Sequence, residues 1–311
     1  MNSDGKGNHG EHELELKYMT GIPTLRSATH RVRFSAEKAL KNKNAPKPRR
    51  TDGDNYEKIN DEYNGTMLPD SIRKVEHVPY DMSKYNLMEE VITMLKSLDE
   101  DVVGSFPEDK LQLEYFEVPQ KSLTRKKQKG QCEKAQEYLS QAVASCTPFL
   151  DKFDSFVTEV ILVHLKNRLI EENILKDGGE DDKVVMYYQR PPTIRIQCGP
   201  ARASVKPHRD ADYGHQPGEL NYWVPLTNRH VTEVDLFVES EEGKEDYAPI
   251  ESDLGFATSF HGSNCSHYVN ANKTRFTRVS FDFRVGIEPF YDPCWEMIGT
   301  KDDHSRRKVL V

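Results

Sequence analysis

His208 and Asp210 stand one residue apart in the tract VKPHRDADYGH, and His267 follows in HGSNCSHYVNANKTRFTRVSFDFR. Two imidazoles and one carboxylate can hold a six-coordinate ferrous ion by one face and leave three adjacent positions open. Those positions suit a chelating cosubstrate and O2, so the spacing points to oxidative iron chemistry. Pro207 before the local pair and Gly214 after it favour a loop that aims both side chains at one ion. His261 is the rival third ligand, and Asp212 or His215 the rival members of the near pair.

An isolated His-x-Asp reads most simply as a surface hydrogen-bonded pair. What argues otherwise here is Arg278, eleven positions after His267, with Ser280 two residues further on. In a strand over 275–285, alternation puts Arg278, Ser280, Asp282 and Arg284 on one face, and Val279, Phe281, Phe283 and Val285 on the other. A guanidinium presents paired donors in the plane of a carboxylate, and a neighbouring hydroxyl satisfies one more oxygen lone pair. The bland alternative for Arg278 is a cross-strand salt bridge, for example to Asp282. Arg275 and Arg284 are weaker candidates for the same task, and Arg284 equally a substrate anchor.

His-x-Asp, a distal His and then Arg-x-Ser together resemble the Fe(II)/2-oxoglutarate-dependent dioxygenases of the double-stranded β-helix fold. The resemblance covers about Val184 to Gly286, and the tract ELNYWVPLT is similar to one in the small-molecule branch of phytanoyl-type hydroxylases. It implies iron on His208, Asp210 and His267, and the distal carboxylate of 2-oxoglutarate on Arg278 and Ser280. The implied cofactors are Fe(II), 2-oxoglutarate and O2, with ascorbate as an optional reductant. The implied reaction hydroxylates, desaturates or cyclises a substrate with release of succinate and CO2. Asp210 matters to that choice, because halogenating relatives lack the carboxylate ligand. The competing classes are a protein side-chain hydroxylase and a cupin-like metal-binding protein without oxygenase activity, which would have no need of Arg278 and Ser280.

Further pocket candidates follow from strand alternation. Asn221 and Trp223 share a face in ELNYWVPLT, as do Arg195 and Gln197 after Thr193. Asn221 and Arg195 are taken as cosubstrate contacts, and Trp223, Glu239 and Arg284 as substrate contacts. Their polarity suits a small polar metabolite, amino-acid-like in character.

The elements that must position these residues divide the chain. Residues 1–74 read as a polar, largely flexible segment, 75–180 as a helical buttress, 181–290 as the catalytic core and 291–311 as a tail, with 75–290 one folded unit. Helices are expected over Met82–Leu98, with Ser83 as cap, over Gln131–Ser145, and over Phe149–Ile174, stopped by Asp177, Gly178 and Gly179. Eight short strands are expected at 184–190, 193–198, 219–227, 233–240, 247–250, 255–261, 266–269 and 275–285. The fold class expected is α+β, a jelly-roll or cupin-like double-stranded β-helix buttressed by N-terminal helices.

Composition narrows the partners. With 51 acidic against 43 basic residues, the net charge of -8 offers no general attraction to nucleic acid. The basic runs Lys47–Arg50 and Arg125–Lys129 read as solvated patches. The five cysteines lack CxxC spacing, and no apolar run approaches the roughly 18 residues of a membrane span, so a cytoplasmic protein with a small-molecule substrate is expected.

Overall fold

The computed structural model describes residues 68–119, 129–176, 183–200, 205–288, 290–293 and 306–311. The expected flexible segment up to residue 67, both basic runs apart from Lys129, and the Asp177–Gly179 stop lie outside them. Within residues 68–74, Leu68 and Ile72 are fully buried, and Asp70–Arg73 forms a helical turn.

The described strands, in chain order, are β1 (Glu76–Pro79), β2 (Val185–Gln189), β3 (Thr193–Gln197), β4 (Val205–His208), β5 (Glu219–Pro225), β6 (Leu236–Val238), β7 (Ala248–Pro249), β8 (Phe256–Phe260), β9 (His267–Val269), β10 (Arg278–Ile287) and β11 (Arg306–Leu310). All eight expected strands are present, some shorter than expected, and β1, β4 and β11 are additions. They form two antiparallel sheets. One has seven strands in the order β1-β8-β5-β10-β2-β11, with β3 also pairing β10; the other has the order β4-β9-β6-β7. The result is a mixed α and β fold.

Alternation along β10 sorts its two faces. Phe281 and Phe283 pack edge-on against Phe149, Phe153 and Phe156 of the helices Thr147–Phe156 and its continuation, with centroids 5.1–6.5 Å apart. Edge-to-face geometry sets the positive ring edge against the negative face, adding to the burial of these large side chains. The helical layer thus seals one side of the large sheet. The opposite face carries Arg278, Ser280, Asp282 and Arg284.

The helices depart from expectation at defined points. The Met82–Leu98 block breaks into Met82–Tyr85 and Leu87–Lys96 at Asn86, which takes a left-handed φ of 35°. Its cap is Asp81, not Ser83: the Asp81 carboxylate accepts from the backbone N–H of Ser83 and Lys84 at 2.9 and 3.3 Å. The long third helix contains a π turn at Val157–Ile161 and ends at Glu171, before the expected stop.

Candidate metal centre

β4 ends at His208 and β9 begins at His267, and the antiparallel ladder sets these two residues directly opposite each other. Opposed residues on one face of such a ladder bring their side chains together, and the two ring centroids stand 4.4 Å apart. Asp210 opens a short 3-10 turn, Asp210–Tyr213, immediately after β4. Its backbone N–H donates to Gly262 O at 2.8 Å and that of Ala211 to Ser263 O at 3.2 Å, tying the turn to the loop that leads into β9. Asp210 Oδ1 then lies 3.7 Å from His208 Nε2 and 3.5 Å from His267 Nε2. These donors all lie within 4.8 Å of one another, and Asp210 and His267 are buried.

The second ring nitrogens fix the tautomers. His208 Nδ1 is 2.8 Å from Lys206 O, and His267 Nδ1 is 3.0 Å from Cys265 O. Each Nδ1–H therefore donates to a backbone carbonyl, which leaves the Nε2 lone pair directed at Asp210, the arrangement a metal-binding histidine needs. Burial, followed by the neighbouring His267, pushes the His208 imidazole down to about 4, so it is neutral and able to ligate at neutral pH.

Asp210 offers one oxygen. Its Oδ2 accepts from Asn221 Nδ2 at 2.6 Å and Arg284 Nε at 2.9 Å, with Arg284 Nη2 in ion-pair contact at 2.7 Å. Burial alone would favour the neutral acid, but the Arg284 guanidinium opposes it and the carboxyl is held well below its usual range. Oδ1 is left facing the two imidazoles.

Across the same face, Arg278 is 5% exposed and Ser280 fully buried. Arg278 has no ion-pair partner among the described residues, and its Nε and the Ser280 Oγ find no hydrogen-bond partner there. Burial pushes the Arg278 guanidinium down to about 10. The guanidinium carbon sits 5.4 Å from the Trp223 ring centroid. Trp223 Nε1, Asn221 Oδ1 and Gln197 Oε1 are also buried without partners among the described residues. Ladder pairs place them together: Arg278 opposite Gln197, Asp282 opposite Trp223 and Arg284 opposite Asn221. Native interiors leave few such atoms unpaired, and several of those among the described residues gather on this face. Paired donors with an adjacent hydroxyl fit a carboxylate, and two imidazoles with a carboxylate oxygen fit a divalent ion.

Several expected roles are reassigned by their contacts. Arg284, a substrate candidate, holds Asp210 Oδ2 and donates through Nη1 to Gln189 Oε1 at 3.0 Å. The Asn221 amide nitrogen, expected on the cosubstrate, donates to the same Oδ2. Arg195, also expected there, lies opposite Ser280 but is forked onto Asp282 at 2.8 and 3.3 Å, which removes Asp282 as a salt-bridge partner for Arg278. Glu239, read as a substrate or edge-strand carboxylate, is 2% exposed and accepts from Ser266 N at 2.6 Å and Glu245 N at 3.0 Å. It braces the backbone just before His267. The rival ligands point elsewhere: His261 Nε2 meets Pro217 O at 2.9 Å, His215 pairs with Glu219 at 2.8 Å, and Asp212 closes a local cap with Arg209. Arg275 is exposed and lies over the Phe276 ring.

Gln189 and Gly262 escaped sequence reasoning. A Cβ at position 262 would stand 2.7 Å from the Asn221 side chain, so only glycine lets that amide sit under Asp210. The signal for Gln189 is its place at the end of β2, whose ladder with β10 begins beside Arg284.

No family model matches the chain. The streptomycin biosynthesis protein StrG of Streptomyces griseus is 38% identical over 116 residues, covering 37% of this chain and 53% of that protein, so the match spans about half of the relative's length. Among solved structures, the chain is similar to the non-heme α-ketoglutarate-dependent epimerase SnoN from nogalamycin biosynthesis, at 13% identity over 74% of this chain and 81% of that one, with a TM-score of 0.38. It is also similar to the carbocyclase SnoK from the same biosynthesis, at 12% identity over 72% and 87% of the two chains, with a TM-score of 0.39. One structure of SnoN holds Fe3+, α-ketoglutarate and nogalamycin RO. No helix among the described residues is long and apolar enough to cross a membrane.

Proposed function

We propose that this chain is an Fe(II)/2-oxoglutarate-dependent oxygenase of double-stranded β-helix architecture that oxidises a small polar metabolite. One observation carries the reading: Arg284 ties the His208–Asp210–His267 donor set to the face of β10 on which Arg278 and Ser280 are buried without partners among the described residues. A cupin-like metal protein would explain the donors but not a buried guanidinium lacking an ion pair. The name of StrG supports a biosynthetic small-molecule substrate over a protein side chain.

In this reading His208 Nε2, Asp210 Oδ1 and His267 Nε2 hold the iron, which with 2-oxoglutarate and O2 supplies the oxidising power to break an unactivated C–H bond. Arg278 grips the distal carboxylate of the cosubstrate with its paired N–H donors, and Ser280 Oγ donates one more hydrogen bond. Trp223 covers the guanidinium and excludes water, which strengthens that charge-assisted contact. Arg284 and Asn221 keep Asp210 turned toward the metal. Hydroxylation, desaturation and cyclisation are all open to such a site, because Asp210 occupies the ligand position that halogenation needs vacant.

The test is a screen of metabolite pools for substrate-stimulated succinate formation with Fe(II) and 2-oxoglutarate, followed by mass analysis of the product. The expected product gains one oxygen or loses two hydrogens. Activity restored to chelated protein by Zn(II) as well as by Fe(II) would overturn the oxygenase reading.

A further inference from the structure

We infer that Arg284 is a positioning residue that, together with Asn221, locks Asp210 into ligating a metal through Oδ1 alone and keeps the donor set assembled before a metal arrives. The inference rests on the metal-site reading above and reassigns a residue whose sequence position suggested a substrate anchor.

The geometry is specific. Arg284 Nε and Asn221 Nδ2 donate hydrogen bonds to Oδ2 at 2.9 and 2.6 Å, and Arg284 Nη2 stands against the same oxygen as an ion-pair contact at 2.7 Å. An oxygen that already accepts two hydrogen bonds has both lone-pair directions occupied, so the carboxylate cannot swing to a chelating mode without breaking them. Arg284 is itself fixed at its other end by Gln189 Oε1 at 3.0 Å, and its side chain is 10% exposed. The Asn221 amide sits where a Cβ at position 262 would collide with it, and the Gly262 carbonyl accepts the Asp210 N–H. Asp210 is thus held at its backbone by the loop before β9 and at one oxygen by two strands, since both Arg284 and Asn221 come from the β5–β10 ladder, where they face each other. A one-oxygen ligand keeps a coordination position open for the chelating cosubstrate; a two-oxygen ligand would consume it.

Charge compensation alone is a different role, and Arg284→Lys separates the two. Lysine keeps the positive charge but lacks the planar fork. The experiment titrates the full-length protein with Co(II) alone, reading affinity and the visible absorption of the bound ion, beside thermal unfolding without metal. For Arg284→Lys the expected result is an unfolding temperature near the wild type, a changed Co(II) absorption band and affinity weakened about tenfold, the scale of losses beyond the ligand shell. Asn221→Ala, which leaves the ion pair intact, is expected to change the band in the same direction with a smaller loss of affinity.

Wild-type band and affinity in both variants would overturn the inference, and a raised substrate KM as the sole change would return Arg284 to substrate binding. Failure of the wild type to bind Co(II) would overturn the metal-site reading and this inference together. Co(II) binding with the expected variant effects but without succinate formation would sustain the inference and overturn the oxygenase reading.

Discussion

His208 and His267 are cross-strand partners, the last residue of β4 facing the first residue of β9, with ring centroids 4.4 Å apart. The two imidazoles come from places far apart in the chain and meet because the small sheet pairs those strands in that register. His267→Ala should therefore remove about two orders of magnitude of Co(II) affinity or more while shifting unfolding little. His261→Ala should leave the affinity within a few-fold of the wild type, because His261 Nε2 is turned to Pro217 O. Metal titration of both variants checks the assignment.

Arg278 gives a prediction of opposite signs. Arg278 is a buried guanidinium without an ion pair among the described residues, a setting that costs stability in the free protein, and burial has already pushed it down to about 10. Arg278→Met should raise the unfolding midpoint of the metal-free protein, while costing about 2–5 kcal/mol of cosubstrate binding, the range for breaking a buried charge contact. Denaturant titration and 2-oxoglutarate binding measured on the same preparations test both halves.

Glu239 is a brace rather than a substrate contact. Its carboxylate accepts two backbone N–H groups, from Ser266 and Glu245, in a buried setting. Glu239→Ala leaves both donors unpaired and should destabilise the protein by about 1–3 kcal/mol. Because Ser266 precedes His267, metal affinity should fall as well. A substitution that changed preference among cationic substrates with stability unchanged would contradict this role.

The pH dependence follows from His261. Burial pushes its imidazole from 6.5 to about 4, with the hydrogen bond to Pro217 opposing in part. The folded protein then binds fewer protons at this residue than the unfolded chain, so stability is present above pH 6.5 and is lost as pH falls through that window to 4. The full loss from this group is about 3 kcal/mol. His261→Gln should reduce the wild-type slope of unfolding free energy between pH 6.5 and 4, measured without metal, and leave the part due to His208, which burial pushes down to about 4 as well.

The sequence made the donor set legible because ligand chemistry restricts residue type, and because period-two alternation along 275–285 sorts polar from aromatic side chains. The same alternation placed Arg284, Asn221 and Arg195 on the inner face, but it says nothing of which acid each one meets. Arg195 and Arg278 lie on adjacent strands, two ladder positions apart, and only the register decides that Asp282 goes to Arg195. The strands missed were those whose composition argues against burial. β11 reads RRKVL and β1 reads EHVP, and each is held by ladder bonds to a neighbour rather than by an alternating apolar face. The break at Asn86 likewise requires a left-handed backbone that apolar periodicity does not report.

The most direct test of the account is succinate release from 2-oxoglutarate by the full-length protein under O2, with Fe(II) and with a substrate from the metabolite screen, beside Asp210→Ala and Arg278→Ala. The account predicts iron-dependent succinate formation by the wild type, none by Asp210→Ala, and recovery of Arg278→Ala only at much higher 2-oxoglutarate. Equal succinate formation by the wild type and Asp210→Ala, or an unchanged 2-oxoglutarate requirement in Arg278→Ala, would contradict it.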